Sequence, residues 1–149
     1  MTPEETRGKI MNRLLLNEED TLDRLRNTVD KAERLFKFDV KSQSVVLSDF
    51  SMKTLSMKEK ICAYLVAKYI GATLLEIKNG KHFFESDSAS LADIASFFGK
   101  KITDISGRFT ELVKDKLVDR NEAGEYRIHH HKIEAVLETL TSKSVRKSR

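Results

Sequence analysis

Between Ser90 and Ile128 the chain runs helix, turn, helix and hairpin, an order that leaves few ways to bury its apolar residues together. The Ser90 hydroxyl is placed to accept from the free amides of a new helix, and Asp93 stands three residues on, at the positive end of the helix dipole. Leu91, Ile94, Ala95 and Phe98 then recur on one helical face. Gly99 follows where a left-handed residue stops a helix. After Lys100, Lys101 and Ile102, Thr103 is read as a second N-cap. Ile105, Phe109, Leu112 and Val113 form the buried stripe of a helix expected to reach about Lys116. Leu117 and Val118 begin an alternating run that turns through Asn121, Glu122, Ala123 and Gly124 and returns at Tyr126 and Ile128, the pattern of two short strands.

The small Ala95, the glycine four residues later and Ile105 ten residues later are similar to the small, turn and buried branched positions of the helix-turn-helix family. With the hairpin after them, the stretch resembles a winged helix-turn-helix of the prokaryotic or archaeal regulator type. The resemblance covers residues 56–128 and is densest over about forty of them. It implies a mainly α (α+β) fold in which the second helix lies in a DNA major groove and the hairpin is the wing.

On that resemblance, Thr103, Asp104, Ser106, Gly107 and Thr110 lie on the open side of the recognition helix, small enough to let its backbone approach bases. Arg108 is expected to reach a guanine edge or a phosphate, or else to pair with Glu111 one turn on. Lys100 and Lys101 are expected to hold phosphate at the turn, and Arg120 and Arg127 to reach the backbone or minor groove from the wing.

Net charge is +4 and the isoelectric point is near 9.1, which suits nucleic acid. The excess lies largely in the tail SKSVRKSR, residues 142–149, because residues 100–141 hold eight Lys or Arg and eight Asp or Glu. DNA binding therefore requires the bases of that region to cluster on one face.

Residues 1–37 read as a helical arm. Thr2, Pro3, Glu4 and Glu5 make a strong helix start, and Met11, Leu15, Leu22, Leu25, Val29, Ala32 and Phe36 follow at heptad spacing, with Glu18 the polar residue on that seam. The arm is read either as a dimerising coiled coil or as a helix packed on its own domain, and Asn17 with Glu18, Glu19 and Asp20 offers a break within it. A homodimer, or a protein partner held through the arm, follows from the first alternative. Residues 38–141 are assigned to the winged domain and 142–149 to a basic tail.

Within the domain, Phe38 to Leu47 reads as a short hairpin. Ser56 with Glu59 fits a capping box that opens a helix ending near Gly71. Asn79-Gly80 marks a further hairpin, and Ile133, Val136, Leu137 and Leu140 mark a closing helix.

His129, His130 and His131 invite a metal, but neighbours on a strand point to opposite faces, so His129 and His131 alone would need ligands such as His82. A single cysteine, Cys62, excludes an intrachain disulfide and suits a reducing cytoplasm. No apolar run approaches the roughly 20 residues of a membrane span, so no membrane association is expected. Phosphate loops, nucleophile elbows and zinc spacings are absent from the sequence, so neither an enzyme nor a cofactor is expected. The expectation is a cytoplasmic transcription regulator on double-stranded DNA; the alternative is a winged-helix module for protein contacts.

Overall fold

The computed structural model describes residues 2–3, 18–78 and 80–143. The helix start after Pro3, the seam positions Met11 and Leu15, the Asn17 cap, Asn79 and most of the basic tail lie outside the described residues. Two compact units divide the chain, Met1–Asp30 and Lys31–Arg149.

Helix α1, Glu18–Leu35, runs through that division. In the first unit Val29 of the heptad seam is exposed, whereas in the second unit Ala32 and Leu35 are buried. The seam position Phe36 is not helical; it opens a strand, with its ring buried. The last carbonyls of a helix lack intrahelical partners. Here Arg34 O accepts from Ser48 Oγ at 2.7 Å, and Leu35 O accepts from Ser51 Oγ at 2.7 Å and from Ser48 N at 2.9 Å.

Strands β1, Phe36–Asp39, and β2, Ser44–Leu47, pair antiparallel with Phe36 opposite Leu47. Ser48 then caps α2, Asp49–Thr54. The capping box forms as its spacing predicts: Ser56 Oγ accepts from Glu59 N, and Glu59 Oε1 accepts from Ser56 N. It opens α3, Met57–Thr73, two residues longer than the Gly71 end expected from sequence. Every residue from Ile61 to Ala67 is buried, so α3 is the axis around which the second unit packs. Near its end a Cβ on Gly71 would stand 2.4 Å from the Phe84 ring, so only glycine admits that ring.

Strand β3, Glu76–Lys78, pairs antiparallel with β4, Lys81–His82, with an irregular register, and Gly80 before β4 takes a left-handed φ of 74°. Farther on, Ala89 and Tyr126 exchange both backbone hydrogen bonds at 2.8 Å. Helix α4, Leu91–Phe98, starts on the Ser90 cap and ends at Gly99, whose φ of 63° is left-handed. Helix α5, Ile102–Lys114, follows at once. Strands β5, Val118–Arg120, and β6, Tyr126–Ile128, pair antiparallel around a turn in which Asn121 Oδ1 accepts from Glu125 N. A 3-10 turn, His130–Lys132, leads into α6, Ile133–Thr141, which buries Ile133, Val136, Leu137 and Leu140.

The result is an α+β chain: helices around α3 with three small antiparallel hairpins among the described residues. Four local expectations are corrected. Thr103 is not a cap but lies inside α5, because Asp104 Oδ2 accepts from Lys101 N at 3.3 Å and starts the helix earlier. The helix stops at Lys114 rather than Lys116, since Lys116 takes a left-handed φ of 60°. Val113, placed on the buried stripe from sequence, is 42% exposed at its edge. His130 and His131 sit in the 3-10 turn, not on a strand. Among the described residues no helix is long and apolar enough to cross a membrane.

Candidate nucleic-acid interface

Helices α4 and α5 meet through Ile94 and Ala95 on one and Ile105, Phe109 and Leu112 on the other, all buried in the same core. The Phe109 ring also stacks at 4.4 Å on Tyr126 of β6, so α5 is seated on the hairpin that follows it. With one stripe of α5 held inward, helical geometry turns the opposite side to solvent.

That side carries the predicted residues. Lys100 and Lys101 are exposed in the turn, and Thr103, Asp104, Gly107, Arg108 and Thr110 are exposed on α5. Ser106 is half-buried, its hydroxyl donating to Thr103 O at 3.4 Å. Arg120 and Arg127 are exposed on the hairpin. Arg127 stands opposite Asp119 in the strand register, and the Arg120 guanidinium lies 5.8 Å from the Tyr126 ring centre. The sites thus form two groups, residues 100–110 on one helix and its entry, and two arginines on the hairpin beneath it.

Local charge differs from composition. Asp104 is engaged by the Lys101 amide. Asp115 Oδ2 lies 3.0 Å from Lys58 Nζ, and Glu111 Oε2 lies 3.6 Å from the same nitrogen. The hydrogen bond to Asp115 holds the Lys58 ammonium above the usual lysine range, against a smaller opposing effect of burial. Lys100, Lys101, Arg108 and Lys114 form no ion pair with the described residues. The alternative pairing of Arg108 with Glu111 is not formed; Glu111 faces Lys58 instead. All three acids of the α5 segment thus have a partner, and Lys58 offsets one of their charges, while Lys100, Lys101, Arg108 and Lys114 are exposed.

Lys58, which pairs with both Asp115 and Glu111, is not singled out by sequence reasoning. It stands 57 positions before Asp115, and no periodicity links the two. The Ala89 stub was missed likewise, since a single paired residue leaves no alternation to find.

Elsewhere, Cys62 is buried and its thiol is pushed up to about 12 by desolvation, so it stays protonated at neutral pH. His129 Nε2 lies 4.0 Å from Asp119 Oδ2, and the three histidine rings pack on one another. Among the described residues no group of three or more His, Cys, Asp or Glu is placed to hold a metal ion.

Compared with known proteins, the chain matches no family model, no curated protein and no solved structure.

Proposed function

We propose that residues 38–141 are a winged helix-turn-helix module that binds double-stranded DNA as a transcription regulator, with α5 in the major groove and the hairpin β5–β6 on the backbone. One observation carries the DNA reading: on the exposed side of α5 and its entry turn the acids are engaged and Lys100, Lys101, Arg108 and Lys114 are not. A face of that kind neutralises phosphate despite a balanced composition. The pairing of Ala89 with Tyr126 supports the fold assignment, because it sets a one-residue stub beside β6 and gives the strand order stub, β6, β5 behind two helices.

In this reading Arg108 and Gly107 meet the groove, and Lys100 and Lys101 hold phosphate at the helix entry. Arg120 and Arg127 touch the neighbouring backbone. Two copies paired through the N-terminal arm present two recognition helices about one DNA turn apart, which calls for a near-palindromic site. A single sedimenting species of monomer mass at micromolar concentration refutes that pairing. The module binds; no catalytic step is proposed for it.

The test is a titration of fluorescent random duplex DNA with the protein and with a Lys101→Ala, Arg108→Ala, Arg127→Ala variant across several salt concentrations. The expected result is binding that weakens steeply with salt, with a slope smaller in the variant by about one unit for each lost phosphate contact. Binding that is absent, or that only removal of residues 142–149 abolishes, refutes the reading.

A second reading has its own observation. Ile102, 47% exposed, and Val113 leave apolar surface at the two ends of α5, which suits a protein partner better than phosphate. A partner complex insensitive to salt, with no DNA binding, is the outcome that favours this protein-interaction module.

A further inference from the structure

Within the second unit a cleft of about 470 Å3 opens between the first turns of α3 and the outer side of α6. Its inner wall is apolar: Cys62, Val136 and Leu140 are buried there, and Leu117 closes one side half-buried. The volume falls within the roughly 300–1,000 Å3 of small-molecule sites.

The rim decides what fits. Lys58 is occupied by Asp115 and Glu111, and Lys143 Nζ lies 3.1 Å from Glu59 Oε2. Glu59 Oε1 is occupied by the Ser56 amide. A charged ligand group therefore meets charges that are already paired rather than a lone counter-charge, so its desolvation is poorly repaid. The Ser56 hydroxyl accepts from Glu59 N at 3.3 Å, and its own hydrogen has no acceptor among the described residues. Thr139 already donates to Ala135 O at 2.9 Å. The cleft thus offers apolar walls, a rim of paired charges and one hydroxyl donor without an acceptor among the described residues.

We infer that this cleft is a binding site for an uncharged, largely apolar small molecule carrying a single oxygen acceptor, of the chemical class of a medium-chain alcohol or ketone. The neutral Cys62 thiol presents such a ligand with an uncharged floor. Because Leu117 and Lys58 both adjoin the C-terminal end of α5, an occupied cleft touches the support of the proposed DNA-facing helix. The site itself stands independently of the DNA reading, and its test uses no DNA.

The test is a titration of the isotopically labelled full chain with 1-octanol, octanoate and octylamine, followed by amide chemical shifts. Octanol is expected to shift Cys62, Leu117, Val136 and Leu140 saturably, and each charged analogue to bind at least about tenfold more weakly. Ala135→Phe, a change at an exposed position on the mouth, is expected to abolish octanol binding with the far-UV circular dichroism unchanged. The inference is overturned by unsaturable shifts, by shifts confined elsewhere, by a charged analogue binding as tightly as octanol, or by a folded Ala135→Phe protein that still binds. If the Ala135→Phe protein does not fold, the comparison of the three ligands on the unaltered protein decides alone.

Discussion

Lys58 and Asp115 are 57 positions apart in the chain and 3.0 Å apart in space, and the same ammonium reaches Glu111 at 3.6 Å. One lysine near the start of α3 is therefore shared by two carboxylates, on the last turn of α5 and just beyond it, and offsets one of their two charges. Lys58→Met is expected to weaken DNA binding at low salt about fivefold, the effect of roughly 1 kcal/mol of carboxylate–phosphate repulsion. Stability should fall by less than about 1 kcal/mol, since the pair is partly solvated. Fluorescence anisotropy and thermal melts measure the two separately, and unchanged affinity in the folded variant contradicts the electrostatic account.

Gly107 has an opposite-sign test. It lies exposed in the middle of α5, and a Cβ built there meets nothing within 4 Å. The fold does not require a glycine at this point, so Gly107→Ala should stabilise the protein by up to about 1 kcal/mol. If the helix backbone approaches bases, the same methyl group should weaken DNA binding. A variant that melts higher and binds equally well removes Gly107 from the interface.

Ser51 is fully buried and donates to Leu35 O, a carbonyl that Ser48 N also serves. Ser51→Ala should cost about 1 kcal/mol rather than the larger penalty of an orphaned carbonyl, because one partner remains. Chemical denaturation checks the figure. A cost near 3 kcal/mol would mean that the Ser48 bond breaks as well.

Burial pushes the Glu59 carboxyl up, but the Ser56 backbone and Lys143 outweigh it and hold it below its ordinary value of 4.5. A carboxyl depressed in the folded state adds stability that is fully present above that ordinary value and is lost as pH falls through the folded value. Glu59→Gln keeps an acceptor for the cap but loses the charge. The stability gap between the parent protein and Glu59→Gln is therefore expected at neutral pH and should close in acid, once pH has fallen through the folded value. Equal gaps at neutral and acid pH, measured by denaturant titration, contradict this assignment.

Much of the architecture was legible where local chemistry decides it. Capping at Ser56 and Ser90, the stop at Gly99 and the closing helix from Ile133 all form where residue type and spacing place them. The start of α5 was misplaced because a side chain three residues inside the helix, Asp104, can begin it from a lysine that looks like no cap. Val113 was misjudged because the edge of a helical stripe depends on what packs beside it. For the site, the exposure of Lys100, Lys101, Thr103, Asp104, Gly107, Arg108 and Thr110 followed from the buried stripe, whereas its charge did not. Engagement of Glu111 and Asp115 rests on a residue from another helix, and composition counts them as free.

The pairing of Ala89 with Tyr126 has a kinetic consequence. Ser88 and Glu125, the adjoining pair joined by a 3.0 Å hydrogen bond, are 37 residues apart, and both α4 and α5 lie inside the loop they close. Closing a loop of that length draws on chain entropy that local helix formation does not. A chain lengthening from its N-terminus therefore completes α5 before the strand that fixes its seat exists, and the helix takes its final pose only after Tyr126 has arrived.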